Sequence, residues 1–215
     1  MSLKKNATIY LVDDDEAVRH ALITLLATSG YEASGFDSAE SFLSTVDLSR
    51  PGVLLLDQRM NGMSGLELQK ELRNRGIDMP IIFITGHGDI PMSVIAMRSG
   101  AVTVLEKPFN HRQLIDNLED ALALVKRNKA VHQLQTSIRE RFGTLTPREQ
   151  EVMKLVVRGM ANRAIGEVMG LSNRTIEVHR SKVMKKMQAK TLPELVLMAP
   201  ACGFNTPGNQ PAGKA

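Results

Sequence analysis

What the chain has little of narrows its chemistry first. Cys202 is its only cysteine, so no internal disulfide can form and nothing in its redox chemistry points outside the cell. The thiol reads as small apolar filler. Tryptophan is absent and aromatic residues make up 4% of the chain, a poor lining for a roomy apolar ligand pocket. No apolar run approaches the roughly 20 residues that a bilayer-spanning helix needs. The short "IYLV" is stopped at once by "DDDE" and not by a cleavage site. These readings predict a cytoplasmic protein with no membrane partner. Internal repeats are also lacking.

What is present suggests two domains. A length of 215 residues fits one full-sized domain and a smaller one. Hydrophobic residues at 43% and charged residues at 23% are ordinary for globular chains. The net charge of +4 hides a polarity along the chain. Residues 1–125 hold 11 Lys+Arg against 17 Asp+Glu, and residues 126–190 hold 15 against 5. The basic part is therefore the candidate to bind a polyanion, and the acidic part is not.

The first half alternates short aliphatic runs with amphipathic patterns. Strands are expected at 8–12, 31–36, 53–56, 80–85 and 102–106, with helices at about 15–29, 38–46, 64–74, 91–99 and from 111 onward. Nearly continuous apolar strands separated by helices predict a doubly wound α/β fold, a five-stranded parallel sheet covered on both faces. Ligands of such sheets bind beyond the carboxyl ends of the strands. From residue 111 no Gly or Pro occurs until Gly143, which predicts a last helix that runs on as a linker. The boundaries drawn are 7–125 for the first domain, 126–141 for the linker helix, 142–203 for an all-α four-helix domain and 204–215 for a disordered tail rich in Gly, Pro and Asn.

The run "VLLLDQRM" carries four apolar residues straight into Asp57. On this layout Asp13 and Asp14 end strand one, Asp57 ends strand three, Thr85 ends strand four and Lys107 ends strand five. Three carboxylates converging on one pocket repel one another unless cations or protons intervene. Oxygen-only donors suit Mg2+, which often also binds phosphate. The pattern predicts a phosphoryl site with Asp57 as nucleophile, Thr85 as hydroxyl donor and Lys107 as ammonium. Singly, each acid could merely cap a helix; the joint order is the signal.

This set, "LVDDD", "LLLDQRM", "FITGHGD" and "LEKPF", resembles the receiver domain of two-component response regulators. The resemblance implies that Asp57 takes a phosphoryl group from a sensor histidine kinase. It also implies that Asp13, Asp14, Asp57 and the backbone carbonyl of Arg59 serve Mg2+, and that Met92, Ile95, Met97 and Arg98 form a homodimer interface on phosphorylation. Two positions depart from the pattern. Asn61 replaces the usual proline, which predicts a looser turn, and Val104 replaces the usual aromatic partner of Thr85.

In the basic part, helices are expected to start near 147, 162, 173 and 192. "TPRE" reads as a capping box with Pro147 at the first helical position, and "TLPE" as a second box. The pair "NRAIGEVMG" and "SNRTIEVHRSKVMKKM" joins through a tight turn with Ser172 as N-cap. At about 100° per residue, Ile176, Val183 and Met187 fall on a core side. Arg174, Thr175, Glu177, Val178, Ser181, Lys182 and Lys185 form a stripe that suits a major groove. The stretch from Leu145 to Met187 is similar to the LuxR-type helix-turn-helix, and the whole chain to FixJ/NarL-type response regulators, closest to the FixJ branch. The resemblance implies a phosphorylation-dependent regulator, expected to activate transcription on double-stranded promoter DNA alongside RNA polymerase. Two rivals fit less well. A phosphohydrolase would need a second acid near Asp57, where Gln58 and Arg59 stand; a regulator switched by a diffusible ligand would need an apolar pocket.

Overall fold

The structure is a computed structural model that describes residues 7–86 and 90–204. The chain forms two compact units, residues 1–129 and 130–215, each taken by itself below.

In the first unit, strands β1 (Thr8–Val12), β2 (Ala33–Phe36), β3 (Gly52–Asp57), β4 (Ile81–Thr85) and β5 (Thr103–Glu106) alternate with helices α1 (Glu16–Thr28), α2 (Ala39–Thr45), α3 (Gly65–Asn74), α4 (Ile90–Arg98) and α5 (His111–Gly143). The strands pair in parallel in the order β2-β1-β3-β4-β5. Alternation along each strand explains the continuous apolar runs. Ile9, Leu11, Val53, Leu55, Ile82 and Ile84 face one core with Leu22 and Leu26 of α1 and Leu114, Leu118 and Leu122 of α5. Tyr10, Val12, Leu54, Leu56, Ile81 and Phe83 face the other, with Phe42 of α2, Leu68 and Leu72 of α3 and Met92 of α4. With helices on both sides, the central strands β3 and β4 are buried at every position and have no polar face, and only the edge strands β2 and β5 expose residues such as Ser34 and Glu106.

Capping sets the helix starts. Asp15 accepts from the N–H groups of Ala17 and Val18 at the start of α1, and Ser64 with Glu67 closes a capping box on α3. Helix α5 is continuous for 33 residues across the boundary between the units, as the lack of Gly and Pro predicts.

The second unit contains α6 (Pro147–Val157), α7 (Asn162–Met169), α8 (Asn173–Met187), α9 (Leu192–Met198) and a 3-10 helix, Ala199–Cys202. They enclose a core built on Ile138, Val152, Met153, Val156, Ile165, Ile176, Val183, Met187 and Leu195. Gly170 ends α7 in the left-handed region, with φ 67°, where a residue lacking Cβ avoids strain. Thr146 and Glu149 form the predicted box. The second box is only half made: Thr191 accepts from the Glu194 N–H, but the Glu194 carboxylate accepts from Lys190 N–H at 2.8 Å. Phe204, placed with the tail from sequence, is packed instead. Its ring meets Phe142 edge-on at 5.3 Å and its N–H donates to Ala199 O at 3.1 Å, because the tail's composition hides one aromatic that the core accepts. The rest of the expected tail, 205–215, lies outside the described residues.

Candidate functional site

The sheet order reverses at the β1/β3 pair, and ligands of open parallel sheets gather at such a switch point. Val12 stands opposite Leu56 in that pair, so Asp13 follows β1 directly beside Asp57. Asp57 lies opposite Ile84 of β4, and Thr85 opposite Glu106 of β5. Four strands therefore deliver Asp13, Asp57, Thr85 and Lys107 to one edge. Asp13, Asp57 and Thr85 are buried, at 1%, 7% and 4% exposure.

Lys107 Nζ donates to Asp57 Oδ1 at 2.8 Å and to Asp13 Oδ2 at 3.1 Å. Asp57 Oδ2 accepts from the Arg59 N–H at 2.6 Å, and Asp13 Oδ1 from the Asp15 N–H at 2.9 Å. Burial holds the Asp57 carboxyl above its ordinary range, and the Lys107 hydrogen bond and charge and the Arg59 N–H offset this only in part. At Lys107 burial acts toward deprotonation, but the bonds to Asp57 and Asp13 outweigh it and the ammonium is held above its usual value. The two directions agree: one ammonium shared by two buried acids is retained and leaves Asp57 under-compensated.

The three carboxylates do not meet at one point as the sequence predicts. Asp14 is half-buried, and its Oδ2 accepts from the backbone N–H and the Nδ2 of Asn61, at 3.0 and 2.8 Å. Among the described residues no trio of His, Cys, Asp or Glu side chains is grouped closely enough to hold a metal ion. Like charges separate onto whichever donors each can reach; Lys107 serves Asp13 and Asp57, and Asn61 serves Asp14. The expected looser turn at Asn61 is likewise replaced by these two bonds. The donor set still fits a hard divalent cation: every group offered is an oxygen, and two of the acids, Asp13 and Asp57, share a single ammonium.

The Thr85 hydroxyl donates to the Gly86 carbonyl at 3.4 Å, a long bond. His87, Gly88 and Asp89 of "FITGHGD" lie outside the described residues. Val104 packs half-buried against the second core. Gly65 was not singled out from sequence. A Cβ there would come 2.5 Å from the Asp57 carbonyl and 2.9 Å from the Phe83 ring, so its lack of a side chain lets α3 seat against the end of β3.

Along α4 the predicted interface residues divide. Ile95, at 52% exposure, Met97 and Arg98 lie on the surface, but Met92 is 5% exposed and packs in the core. Positions 92 and 96 are one helical turn apart and both face the sheet. Ile90 and Val94, not singled out from sequence, are exposed on the same helix.

On α8, Ile176, Val183 and Met187 are buried as predicted, and Arg174, Glu177, Val178, Ser181, Lys182 and Lys185 are exposed. Thr175 is half-buried within the cap. Its N–H donates to Ser172 Oγ at 3.1 Å and its hydroxyl lies 2.8 Å from the same oxygen. Arg180 donates to Asn162 Oδ1 at 2.9 Å, docking α8 on the start of α7. Beneath them Lys186 Nζ donates to Glu149 Oε2 at 2.6 Å and to Thr144 O at 3.1 Å. The Lys186 hydrogen bond first, and then the Thr146 N–H, hold the Glu149 carboxyl below its usual range. Sequence shows Glu149 as a capping residue but not this partner, 37 positions away.

Two family descriptions match the chain: the response regulator receiver domain over residues 9–119 and the bacterial regulatory proteins of the luxR family over residues 143–199. The transcriptional regulatory protein FixJ of Rhizobium meliloti (strain 1021) is 45% identical over 197 residues, 92% of this chain and 97% of FixJ. The response regulator protein TodT of Pseudomonas putida is 40% identical over 190 residues, 88% of this chain and 84% of TodT. Among solved structures, the response regulator StyR matches with a TM-score of 0.75 at 40% identity, over 91% of this chain and 98% of StyR. Full-length FixJ from B. japonicum matches with a TM-score of 0.57 at 39% identity, over 92% and 97% of the two chains. No helix among the described residues is long and apolar enough to cross a membrane. The match to FixJ covers 92% of this chain and so takes in both domains, and the chain belongs to the FixJ-type two-component response regulators, DNA-binding transcription regulators controlled by phosphorylation.

Proposed function

We propose that Asp57 is the phosphoryl acceptor of this regulator and that its charge state governs pairing of two chains on DNA. The single observation that carries this is the buried Asp57 carboxylate, held between Lys107 Nζ and the Arg59 N–H beside Asp13 at the sheet's switch point. In the transfer, an Asp57 carboxylate oxygen forms a bond to phosphorus as the bond from phosphorus to a sensor kinase's histidine nitrogen breaks. The electron pair of that bond leaves with the imidazole.

Receiver domains of this family generally use Mg2+. Asp13, Asp14, Asp57 and the Arg59 carbonyl are the groups that would hold it here, where it would offset charge on the transferring oxygens. The protein's own part is to bury the acceptor, keep an ammonium against it and exclude bulk water. A phosphoryl group adds about −1.5 to −2 charges at neutral pH, by analogy with other phosphorylated side chains. Lys107 already stands at the acceptor oxygen, and among the described residues the Thr85 hydroxyl gives up a long bond to a carbonyl in turning toward the new oxygens. Movement of Thr85, at the end of β4, biases α4, whose exposed Ile95, Met97 and Arg98, with Ile90 and Val94, then pair two copies. Met92 supports that surface from within.

Residues 7–125 act as receiver, 126–141 as linker helix and 142–203 as DNA module. In that module Arg174, Glu177, Val178, Ser181, Lys182 and Lys185 of α8 face the major groove, and Thr175 orients the helix start. A dimer then engages two half-sites, gaining affinity through avidity, and recruits RNA polymerase as an activator in the cytoplasm. The test is sedimentation of the full chain with acetyl phosphate and Mg2+. The wild-type chain is expected to dimerise and Asp57→Asn to stay monomeric with its helices intact. Equal dimerisation of both would count against the gate.

A further inference from the structure

Asn61 stands where the receiver pattern has proline, and the structure gives the exchange a chemical consequence. Its backbone N–H and its Nδ2 both donate to Asp14 Oδ2, at 3.0 and 2.8 Å. Proline at this position has no N–H and no amide, so neither bond would exist. A carboxylate oxygen has room for about two donors. Oδ2 of Asp14 is thereby filled, and Oδ1 is the oxygen left for a cation.

The loop carrying Asn61 is itself braced. The Met63 N–H donates to Glu40 Oε1 at 3.1 Å. Gly62 adopts φ 81°, and a Cβ there would stand 3.1 Å from the same Glu40 oxygen. Asn61 therefore presents its two donors from a loop tied to α2, not from a free segment.

We infer that Asn61 is a specificity-determining positioning residue, which restrains Asp14 to one-oxygen ligation and so favours Mg2+ over Ca2+ in the pocket. This rests on the reading that Asp13, Asp14 and Asp57 hold a divalent cation. Mg2+ is small, prefers octahedral sites and takes single carboxylate oxygens while keeping several waters. Ca2+ takes more oxygens and commonly uses both atoms of a carboxylate. To offer both atoms, Asp14 must release at least one Asn61 bond. Hydrogen bonds to an ionised acceptor are the stronger kind, and that loss falls on Ca2+ alone.

The test titrates the isotope-labelled full chain with MgCl2 and, separately, with CaCl2, following the amide resonances of Asp13, Asp14 and Asp57; the chain has no tryptophan to report by fluorescence. The readout is the ratio of the two dissociation constants, which a merely loosened loop would not move. Asn61→Ala keeps the backbone N–H and removes Nδ2, and is expected to shift the ratio toward Ca2+ by about fivefold. Asn61→Pro removes both donors and should shift it further; if Asn61→Pro does not fold, Asn61→Ala decides alone. An unchanged ratio in Asn61→Ala, including equal weakening of both ions, would overturn the role of Asn61 while leaving the cation site intact. No response of these amides to either ion in the wild-type chain would instead overturn the cation reading, and the role of Asn61 with it.

Discussion

Asp57 and Lys107 are 50 positions apart, yet their charged atoms lie 2.8 Å from each other because parallel strands end at the same edge of the sheet. Glu149 and Lys186 make the comparable pair in the second unit, at 2.6 Å. The Glu149 carboxyl is held below its usual range, first by Lys186 and then by the Thr146 N–H. Its stabilising effect is therefore fully present above the ordinary carboxylate range and is lost as pH falls through the depressed folded value. Urea unfolding of the second unit should show stability declining in that acid window, and Glu149→Gln should flatten the decline; an equally steep profile in the variant would remove Glu149 as its source. At this scale the sequence was informative where a residue's role follows from its place on an element. Asp13, Asp57, Thr85 and Lys107 are strand ends, and strand ends can be read from apolar runs. Asn61 was misread as a loosening of the turn because its partner Asp14 lies 47 positions away, and no local pattern reports such a contact. Glu149 was half legible: its cap is local and its ion pair is not.

Helices and strands followed from periodicity and caps, since the central strands are buried on both faces and most helices open on a side chain that accepts their first N–H groups. Where two partners compete for one cap, pattern fails, as with Glu194, which turns to Lys190. Facing fails too on α4, where positions 92 and 96 are the ones turned to the core. Met92 and Ile95 share a short helix, but only Ile95 reaches solvent. Met92→Ala is expected to lower stability by about 2–5 kcal/mol through the cavity it leaves. Ile95→Asp should stay within about 0.5 kcal/mol of wild type and weaken the phosphorylated dimer. Thermal unfolding and sedimentation separate the two, and the reverse assignment would sink the proposed surface. On α8, Lys185 is exposed on the face opposite the core. Lys185→Ala should weaken DNA binding and, through one lost phosphate contact, reduce the magnitude of the salt slope by about one. A slope equal to wild type, measured by anisotropy across a salt series, would take Lys185 off the backbone.

Across the whole molecule, charge and chemistry are divided in the same place. The acidic first unit carries the buried site proposed to take the phosphoryl group, and the basic second unit carries the helix proposed to face DNA. The 33-residue helix α5 contributes Leu114, Leu118 and Leu122 to one core and Ile138 to the other, so the two units share an element as well as a chain. That continuity was legible in the absence of Gly and Pro, whereas the packing of Phe204 was masked by the composition around it. All of the proposed signalling depends on covalent chemistry at one carboxylate. The most direct measurement is intact-mass and peptide mass spectrometry of the full chain after incubation with acetyl phosphate and Mg2+. A single phosphoryl adduct on Asp57, missing from the Asp57→Asn chain, is the expected result; no adduct, or one that persists at another residue in that variant, would contradict it.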